Sequence, residues 1–200
     1  MQHPGKPINN IKIKPVKLLQ EYYLPYTKAY QILSTHSLAV ATKALAIAKR
    51  LQQRSELEYN CVDIEFTYQA ALLHDIGIFT TYAPELGCFG TQPYLRHGIS
   101  GYEILLSEGL PRHANVCKTH IGVGLKAKDI IEQQLPLPPQ DFIPQSIEEK
   151  IITYADLFFS KSPGNLEQEK SADSVRRSVV NYGIENGATF DQWHNIFAQP

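Results

Sequence analysis

The stretch Ala70-Ala71-Leu72-Leu73-His74-Asp75-Ile76-Gly77 decides how this chain is interpreted. It joins an apolar run, typical of a buried helix, to two adjacent side chains that both bind metals. Burying an unpaired carboxylate is costly, and a buried imidazole also needs a partner. A helix that delivers both groups at its buried end therefore needs something there to satisfy them, and a cation does this best.

Four further residues supply the side chains that a metal site would need. His36 precedes the pair, His97 and His120 follow it, and Asp156 lies late in the chain. Each lies on or beside a segment that is predicted to be helical, and each is flanked by apolar residues. We therefore expect these distant side chains to converge on one pocket with His74 and Asp75.

The composition of the chain limits its functional class. Its 200 residues suit one domain with a sizeable core, and 43% hydrophobic with 20% charged residues is ordinary for a soluble globular protein. The net charge of −1 gives no polybasic signature, so extended nucleic-acid binding and binding to an anionic membrane are disfavoured. No apolar stretch approaches the roughly 18 residues that span a bilayer.

Cysteine usage and the N-terminal segment predict a cytoplasmic location. The three cysteines, Cys61, Cys88 and Cys117, show no pairing pattern, which is typical of a reducing compartment. We expect them to be small core residues rather than ligands or nucleophiles. Residues 1–17 contain lysines but no apolar core of the kind that a secretory signal requires.

Hydrophobic spacing predicts an all-α fold, because alternating runs of the strand type are nearly absent. We expect an extended N-terminal arm over residues 1–15, a helical metal-binding domain over 16–165, and C-terminal helices over 166–200 packed on the same domain. The predicted helices cover about residues 16–23, 34–51, 64–74, 97–109, 112–121, a segment that starts at Ser146 and carries Asp156, 166–182 and 190–197.

Several helix ends carry sequence signals. Ser34 is predicted to cap the second helix, which places His36 in its first turn, and Asp63 is predicted to cap the third. Gly77 is interpreted as the residue that ends the third helix. Ser146 opens a capping box at the start of the helix that carries Asp156.

The ordered set of ligands resembles the HD-domain superfamily of metal-dependent phosphohydrolases, in the subgroup whose central pair reads His-Asp-Ile-Gly. The matching residues are His36 in Ser34-Thr35-His36-Ser37, the motif His74-Asp75-Ile76-Gly77, and Asp156 in Tyr154-Ala155-Asp156, within a resemblance that spans about residues 22–161. The resemblance implies a helical bundle, with extra C-terminal helices here, in which those two histidines and two aspartates bind a first ion. His74 and Asp75 would be its catalytic pair.

The resemblance also implies a second ion. His97 and His120 occupy the places where binuclear members carry their second-metal histidines, and Asp75 would bridge the two ions. Each of these histidines could instead bind substrate phosphate or cap its helix. The mixed histidine and carboxylate set suits Fe, Mn, Zn, Co or Ni better than Mg or Ca.

Such a site implies hydrolysis of a phosphate ester or anhydride bond. Two ions about 3.5–4 Å apart activate a bridging hydroxide as the nucleophile and stabilise an in-line displacement at phosphorus. We expect a small nucleotide or another phosphorylated metabolite as the substrate, because the domain is small and not basic. Arg96 and Lys161 are candidates for contacts with its phosphate, although basic residues are more often solvated surface charges.

Several features remain open at the level of sequence. His113, one heptad before His120, is expected at the pocket rim or on the surface. The loop over residues 79–93 is long enough to cover a site but matches no motif. The sequence is compatible with a homodimer and specifies neither the oligomeric state, the substrate nor the metal.

Two other functions are compatible with these residues. Some HD-fold proteins use a mixed-valent di-iron centre to activate oxygen, and their ligands are similar. A non-catalytic module could also retain the site to sense a nucleotide, although a protein freed from catalysis has no need for a complete set of ligands.

Overall fold

Helices dominate the computed structural model, which describes residues 13–54, 56, 59, 61–162 and 164–199. Within these residues the fold is all-α, as predicted, with one short antiparallel hairpin. The helices are α1 (Pro15–Tyr22), α2 (Lys28–Gln52), α3 (Ile64–Leu73), α4 (His97–Ser107), α5 (Pro111–Thr119), α6 (Ala127–Glu132), α7 (Ile147–Asp156), α8 (Ala172–Val180) and α9 (Ile184–Phe197). The hairpin strands are β1 (Tyr82–Ala83) and β2 (Cys88–Phe89).

The second helix begins earlier than predicted. Thr27 is its N-cap, and the Thr27 hydroxyl accepts a hydrogen bond from the backbone N–H of Tyr30. Ser34 lies inside the helix, where its hydroxyl donates to a backbone carbonyl one turn earlier. Buried residues ahead of Ser34 extend the apolar face, so tertiary packing overrides the Ser34 signal. His36 consequently lies in the third turn of α2, and its prediction in the first turn was wrong.

Other boundaries also differ from the prediction. The N-terminal arm falls almost entirely outside the described residues, and Pro15 already belongs to α1. Residues 166–171 are not helical, because Ser171 caps α8 through the N–H of Ser174. The last helix starts at Ile184 rather than at residue 190, and α6 was not predicted. The segment over residues 79–93 contains the hairpin.

The apolar side chains form two buried clusters that meet near the predicted ligands. One cluster joins the C-terminal part of α2 to α7, α8 and α9, and includes Val40, Tyr154 and Phe190. The other joins α1, the start of α2, α4 and α5, and includes Leu33. Along α2, His36 lies between the last residue of one cluster and the first residue of the other.

The three cysteines differ in their exposure to solvent. Cys88 and Cys117 are buried, as expected, whereas Cys61 is exposed, so the expectation of a core position was wrong for Cys61.

No described helix combines the length and the apolar character needed to cross a membrane.

Gly77 does not end α3, which stops at Leu73 with His74 as its C-cap. Gly77 lies in a 3₁₀ turn, Ile76–Thr80, that packs against α4. A Cβ atom at Gly77 would overlap the carbonyl oxygen of His97 and the backbone nitrogen of Gly101. Glycine is therefore required because two backbones approach closely, and this approach brings His97 to the motif.

Replacing Gly77 by Ala should lower the free energy of unfolding by about 3 kcal/mol, the upper end of overpacking costs, because backbone atoms cannot rotate away. Urea denaturation measures the change. Gly109→Ala is the control, since its Cβ would meet nothing within 4 Å and only its positive φ of 75° is strained. A loss below about 0.5 kcal/mol for Gly77→Ala would show that the close approach is not a constraint.

Candidate metal centre

Three helices bring the first four predicted ligands together. His36 extends from the middle of α2, His74 and Asp75 follow α3, and Asp156 is the last residue of α7. The side chains of His36, His74 and Asp75 are completely buried, and that of Asp156 is 15% exposed. The capping side chain of Asp63 accepts from the N–H of Phe66, as predicted, and fixes the start of the helix that delivers the pair.

The ligand atoms of this first cluster are spaced like a coordination shell. Nε2 of His36 lies 2.9 Å from Oδ1 of Asp156 and 3.4 Å from Oδ2 of Asp75. Nε2 of His74 lies 3.1 Å from Oδ2 of Asp75 and 3.4 Å from Oδ1 of Asp156. Ligands about 2.1 Å from one ion are about 3.0–3.4 Å apart in octahedral or tetrahedral geometry. The four side chains could therefore hold one ion.

A second cluster shares Asp75 with the first. Nε2 of His97 and Nε2 of His120 each lie 3.4 Å from Oδ1 of Asp75, and the two nitrogens are 3.2 Å apart. Oδ1 of Asp75 therefore faces the second cluster, whereas Oδ2 faces the first. This division of one carboxylate between two groups of histidines is the arrangement that a bridging ligand requires.

Backbone carbonyls fix the orientation of three of the histidines. In each case Nδ1 lies at hydrogen-bond distance from the carbonyl oxygen three residues earlier: His74 from Ala71 (2.7 Å), His97 from Tyr94 (2.7 Å) and His120 from Cys117 (2.8 Å). A carbonyl only accepts, so Nδ1 carries the proton, and Nε2 of the neutral ring presents a lone pair. Two such lone pairs that face each other across the second cluster need a cation between them.

Unsatisfied polar atoms are concentrated at this site. Among the described residues, nine buried side-chain nitrogen or oxygen atoms lack a hydrogen-bond partner, and six of them belong to His36, His74, Asp75 and Asp156. Leaving such atoms unpaired is costly, and native proteins rarely do so in one place. The donor set, its burial and its unpaired atoms all fit divalent transition-metal ions.

Electrostatics at the site also favour a positive charge. Burial lowers the pKa of His74, but Asp75 and Asp156 outweigh burial and raise this pKa from 6.5 to about 10. Burial raises the pKa of Asp75, but His74 and Lys161 outweigh it and hold this pKa well below its ordinary value. Burial lowers the pKa of His97 to about 4, so this ring is neutral at pH 7. Without an ion, a proton on His74 supplies the missing cation.

The two predicted phosphate contacts lie in different surroundings. Nζ of Lys161 is 2.8 Å from Oδ2 of Asp75 and 3.8 Å from Oδ1 of Asp156, so this lysine reaches into the first cluster. Arg96 is half-buried in a 3₁₀ turn immediately before His97. Within the part of the chain that the structure describes, Arg96 forms no ion pair.

Sequence reasoning missed Tyr94. Its ring packs on the ring of His97 with centroids 4.9 Å apart, and its carbonyl is the acceptor that orients this histidine. Burial raises the pKa of Tyr94 to about 12, so its hydroxyl remains protonated. The sequence carries no signal for this contact, because a backbone carbonyl is the acceptor and the residues three positions before His74, His97 and His120 are of different types.

His113 lies neither at the pocket rim nor on the surface, so this prediction was wrong. It is 7% exposed, and its ring packs edge-on against Phe66 with centroids 4.9 Å apart. Burial lowers its pKa to about 4. The heptad spacing placed it on the same helix face as His120 but could not show that α3 covers that position.

Comparison with known proteins gives a family match. The profile of the HD domain family matches residues 33–159. An uncharacterised protein of Methanocaldococcus jannaschii is 36% identical over 122 residues, which cover 60% of this chain and 62% of that protein. A tRNA (cytidine(56)-2'-O)-methyltransferase of Thermoplasma volcanium is 28% identical over 192 residues, which cover 93% of this chain and 47% of that protein.

The chain thus spans less than two thirds of the length of these relatives. A protein of the same methyltransferase name from Picrophilus torridus is 36% identical over 87 residues, 43% of this chain and 22% of that protein. No solved structure matches the chain.

Replacing His97 by Ala tests whether the second cluster holds its own ion. We expect the metal content to fall from about two ions per chain to about one, because the first cluster keeps all its ligands. Elemental analysis of the metal-loaded protein measures the content. His113→Ala is the control, since it removes a buried histidine outside both clusters and should leave the content unchanged. Retention of two ions in His97→Ala would refute the second-metal assignment.

Metal binding should release a proton at neutral pH. His74 is protonated below its pKa of about 10 when no ion is present, whereas a ligating imidazole must be neutral. At pH 7.5 we expect binding of the first Mn²⁺ to release about one proton. The affinity for Mn²⁺ should therefore fall about tenfold for each pH unit below pH 7.5. Calorimetry in buffers of different ionisation enthalpy measures this release. A binding enthalpy independent of the buffer would contradict the assignment.

Proposed function

Because this chain belongs to the HD domain family, we propose that it is a metal-dependent phosphohydrolase acting on a small nucleotide or another phosphorylated metabolite. It would cleave a phosphate ester or anhydride bond. The observation that carries the proposal is the position of Asp75, whose two carboxylate oxygens face two separate groups of histidines. This arrangement suits a pair of ions better than a single one.

Different residues of the chain would have different roles at the proposed site. A bound pair of transition-metal ions would supply an activated water and Lewis-acid stabilisation of the displaced oxygen. His36, His74 and Asp156 would hold the first ion, and His97 and His120 the second, together with the bridging Asp75. The carbonyl contacts at His74, His97 and His120 keep each Nε2 available.

The chemistry needs no nucleophilic side chain. Burial raises the pKa of the Cys88 thiol, and it raises that of Cys117 well above its ordinary value. The Cys117 thiol also donates to the carbonyl of Leu73, so it packs against the motif rather than facing the pocket. A protonated, buried thiol is a poor nucleophile. These observations support attack by an activated water, and reduced thiols are compatible with the proposed cytoplasmic location.

Two cations would orient the phosphate. Lys161 enters the first cluster, and Arg96 precedes His97 without an ion-pair partner among the described residues. A guanidinium can bind two phosphate oxygens at once, whereas an ammonium acts as a point charge. We propose that Arg96 binds the outer oxygens of the phosphate and that Lys161 neutralises charge nearer to the ions.

The relatives named as tRNA methyltransferases do not change this proposal. More than half of the Thermoplasma volcanium protein has no counterpart in this chain, so methyl transfer is not carried over. The net charge of −1 is also unlike that of a domain that binds long stretches of RNA. A small phosphorylated substrate therefore fits this chain better.

The direct test is release of inorganic phosphate from a panel of nucleoside mono-, di- and triphosphates and sugar phosphates by Mn²⁺-loaded protein. Asp75→Asn should reduce the rate by at least ~10²-fold, because it removes the charge that holds both ions. Asp173→Asn, on the exposed first turn of α8, is the matched control and should keep the full rate.

Two results would reject the proposal. Absence of phosphate release from the whole panel by wild-type protein with bound ions would favour a sensing module. Oxygen uptake without phosphate release, measured in parallel with an oxygen electrode on iron-loaded protein, would favour a di-iron oxygenase.

A further inference from the structure

Lys161 places a positive charge inside the candidate metal centre. Its ammonium nitrogen lies 2.8 Å from Oδ2 of Asp75 and 3.8 Å from Oδ1 of Asp156. Oδ2 of Asp75 is also the oxygen that faces Nε2 of His36 and Nε2 of His74, at 3.4 and 3.1 Å. The lysine therefore contacts the very oxygen that the first ion would use.

The backbone around Lys161 is fixed by a second lysine. Lys161 follows the end of α7, and the carbonyls of Leu157 and Phe159 in this turn accept from Nζ of Lys170 at 3.2 and 3.3 Å. The backbone N–H of Lys170 donates to the carbonyl of Phe158 at 2.9 Å. Lys170 therefore holds the turn, so the position of Lys161 near Asp75 does not depend on its own ion pairs alone.

The surroundings of the Lys161 side chain leave its charge few partners. The side chain is 17% exposed and borders a gap of about 10 Å³. Apart from Lys161, this gap is lined mainly by apolar side chains, among them Ile32, Leu33 and Leu86. Among the described residues, the ammonium pairs with Asp75 and Asp156 only.

We propose that Lys161 is an internal cation that occupies Asp75 in the metal-free protein and is displaced from it by the first metal ion. The two buried carboxylates need compensation when no ion is present, and Lys161 provides part of it. A divalent ion at the same oxygen repels the ammonium and satisfies the carboxylate more completely. Metal binding thus frees a positive charge at the site.

This inference rests on the proposed function, in which the freed ammonium can contact the substrate. Once it leaves Asp75, Lys161 can meet the negative charge of a substrate phosphate. Lys161 would then couple two events, because loading with metal would create a phosphate contact that the metal-free protein lacks. Its contact with the phosphate therefore depends on the ion.

Lys161→Met separates the two roles, since Met keeps the apolar stem and removes the charge. We expect the first Mn²⁺ to bind at least about tenfold more tightly to this variant, because its competitor is gone. We also expect the Mn²⁺-loaded variant to bind inorganic phosphate at least about tenfold more weakly. Calorimetry measures both affinities. Lys128→Met, at a lysine that is 73% exposed and pairs with Glu132, should change neither.

The outcomes are distinguishable from one another. Unchanged or weaker Mn²⁺ binding by Lys161→Met would show that Lys161 does not compete with the ion for Asp75. Unchanged phosphate affinity of the Mn²⁺-loaded variant would show that the freed lysine does not bind phosphate. A wild-type protein that binds no Mn²⁺ would instead reject the proposed function itself. Lys161→Gln is measured in parallel, and thermal unfolding of both metal-free variants identifies the one that is folded. The metal-induced rise in Tm should be larger in that variant than in the wild type.

Discussion

The site depends on one buried carboxylate. Asp75 is completely buried, each of its oxygens faces a different pair of histidines, and Nζ of Lys161 lies 2.8 Å from Oδ2. A carboxylate in this position is stable only beside positive charge. In the metal-free chain that charge comes from Lys161 and from a proton on His74, which together stand in for ions.

Backbone packing supplies the rigidity that this arrangement needs. Gly77 and Gly101 let the turn after the motif contact α4 directly, which fixes His97 relative to Asp75. The recurring bond from Nδ1 to the carbonyl three residues earlier fixes the ring of each histidine at a helix end. Such second contacts orient ligands before any ion binds. The centre is therefore built into the helical scaffold rather than assembled by mobile loops.

The sequence predicted the fold class because its signals are local, and it predicted the family because the order of His36, the His74-Asp75 pair and Asp156 along the chain is visible without the fold. The apolar run before His74 and the capping residues Asp63 and Ser146 act within a few residues, and both caps are present in the structure. The failures concern contacts between distant segments. Ser34 is a good capping residue that lies inside a helix because neighbouring residues pack into the core, and His113 is covered by α3. The roles of the site residues remain predictions.

The most direct test of the central claim is the anomalous scattering of Mn²⁺-loaded crystals, because it locates ions without reference to activity. We expect two peaks about 3.5–4 Å apart, with one oxygen of Asp75 bound to each. His36, His74 and Asp156 should bind one ion, and His97 and His120 the other. Peaks that lie elsewhere, or a loaded centre in which Asp75 contacts neither ion, would contradict it.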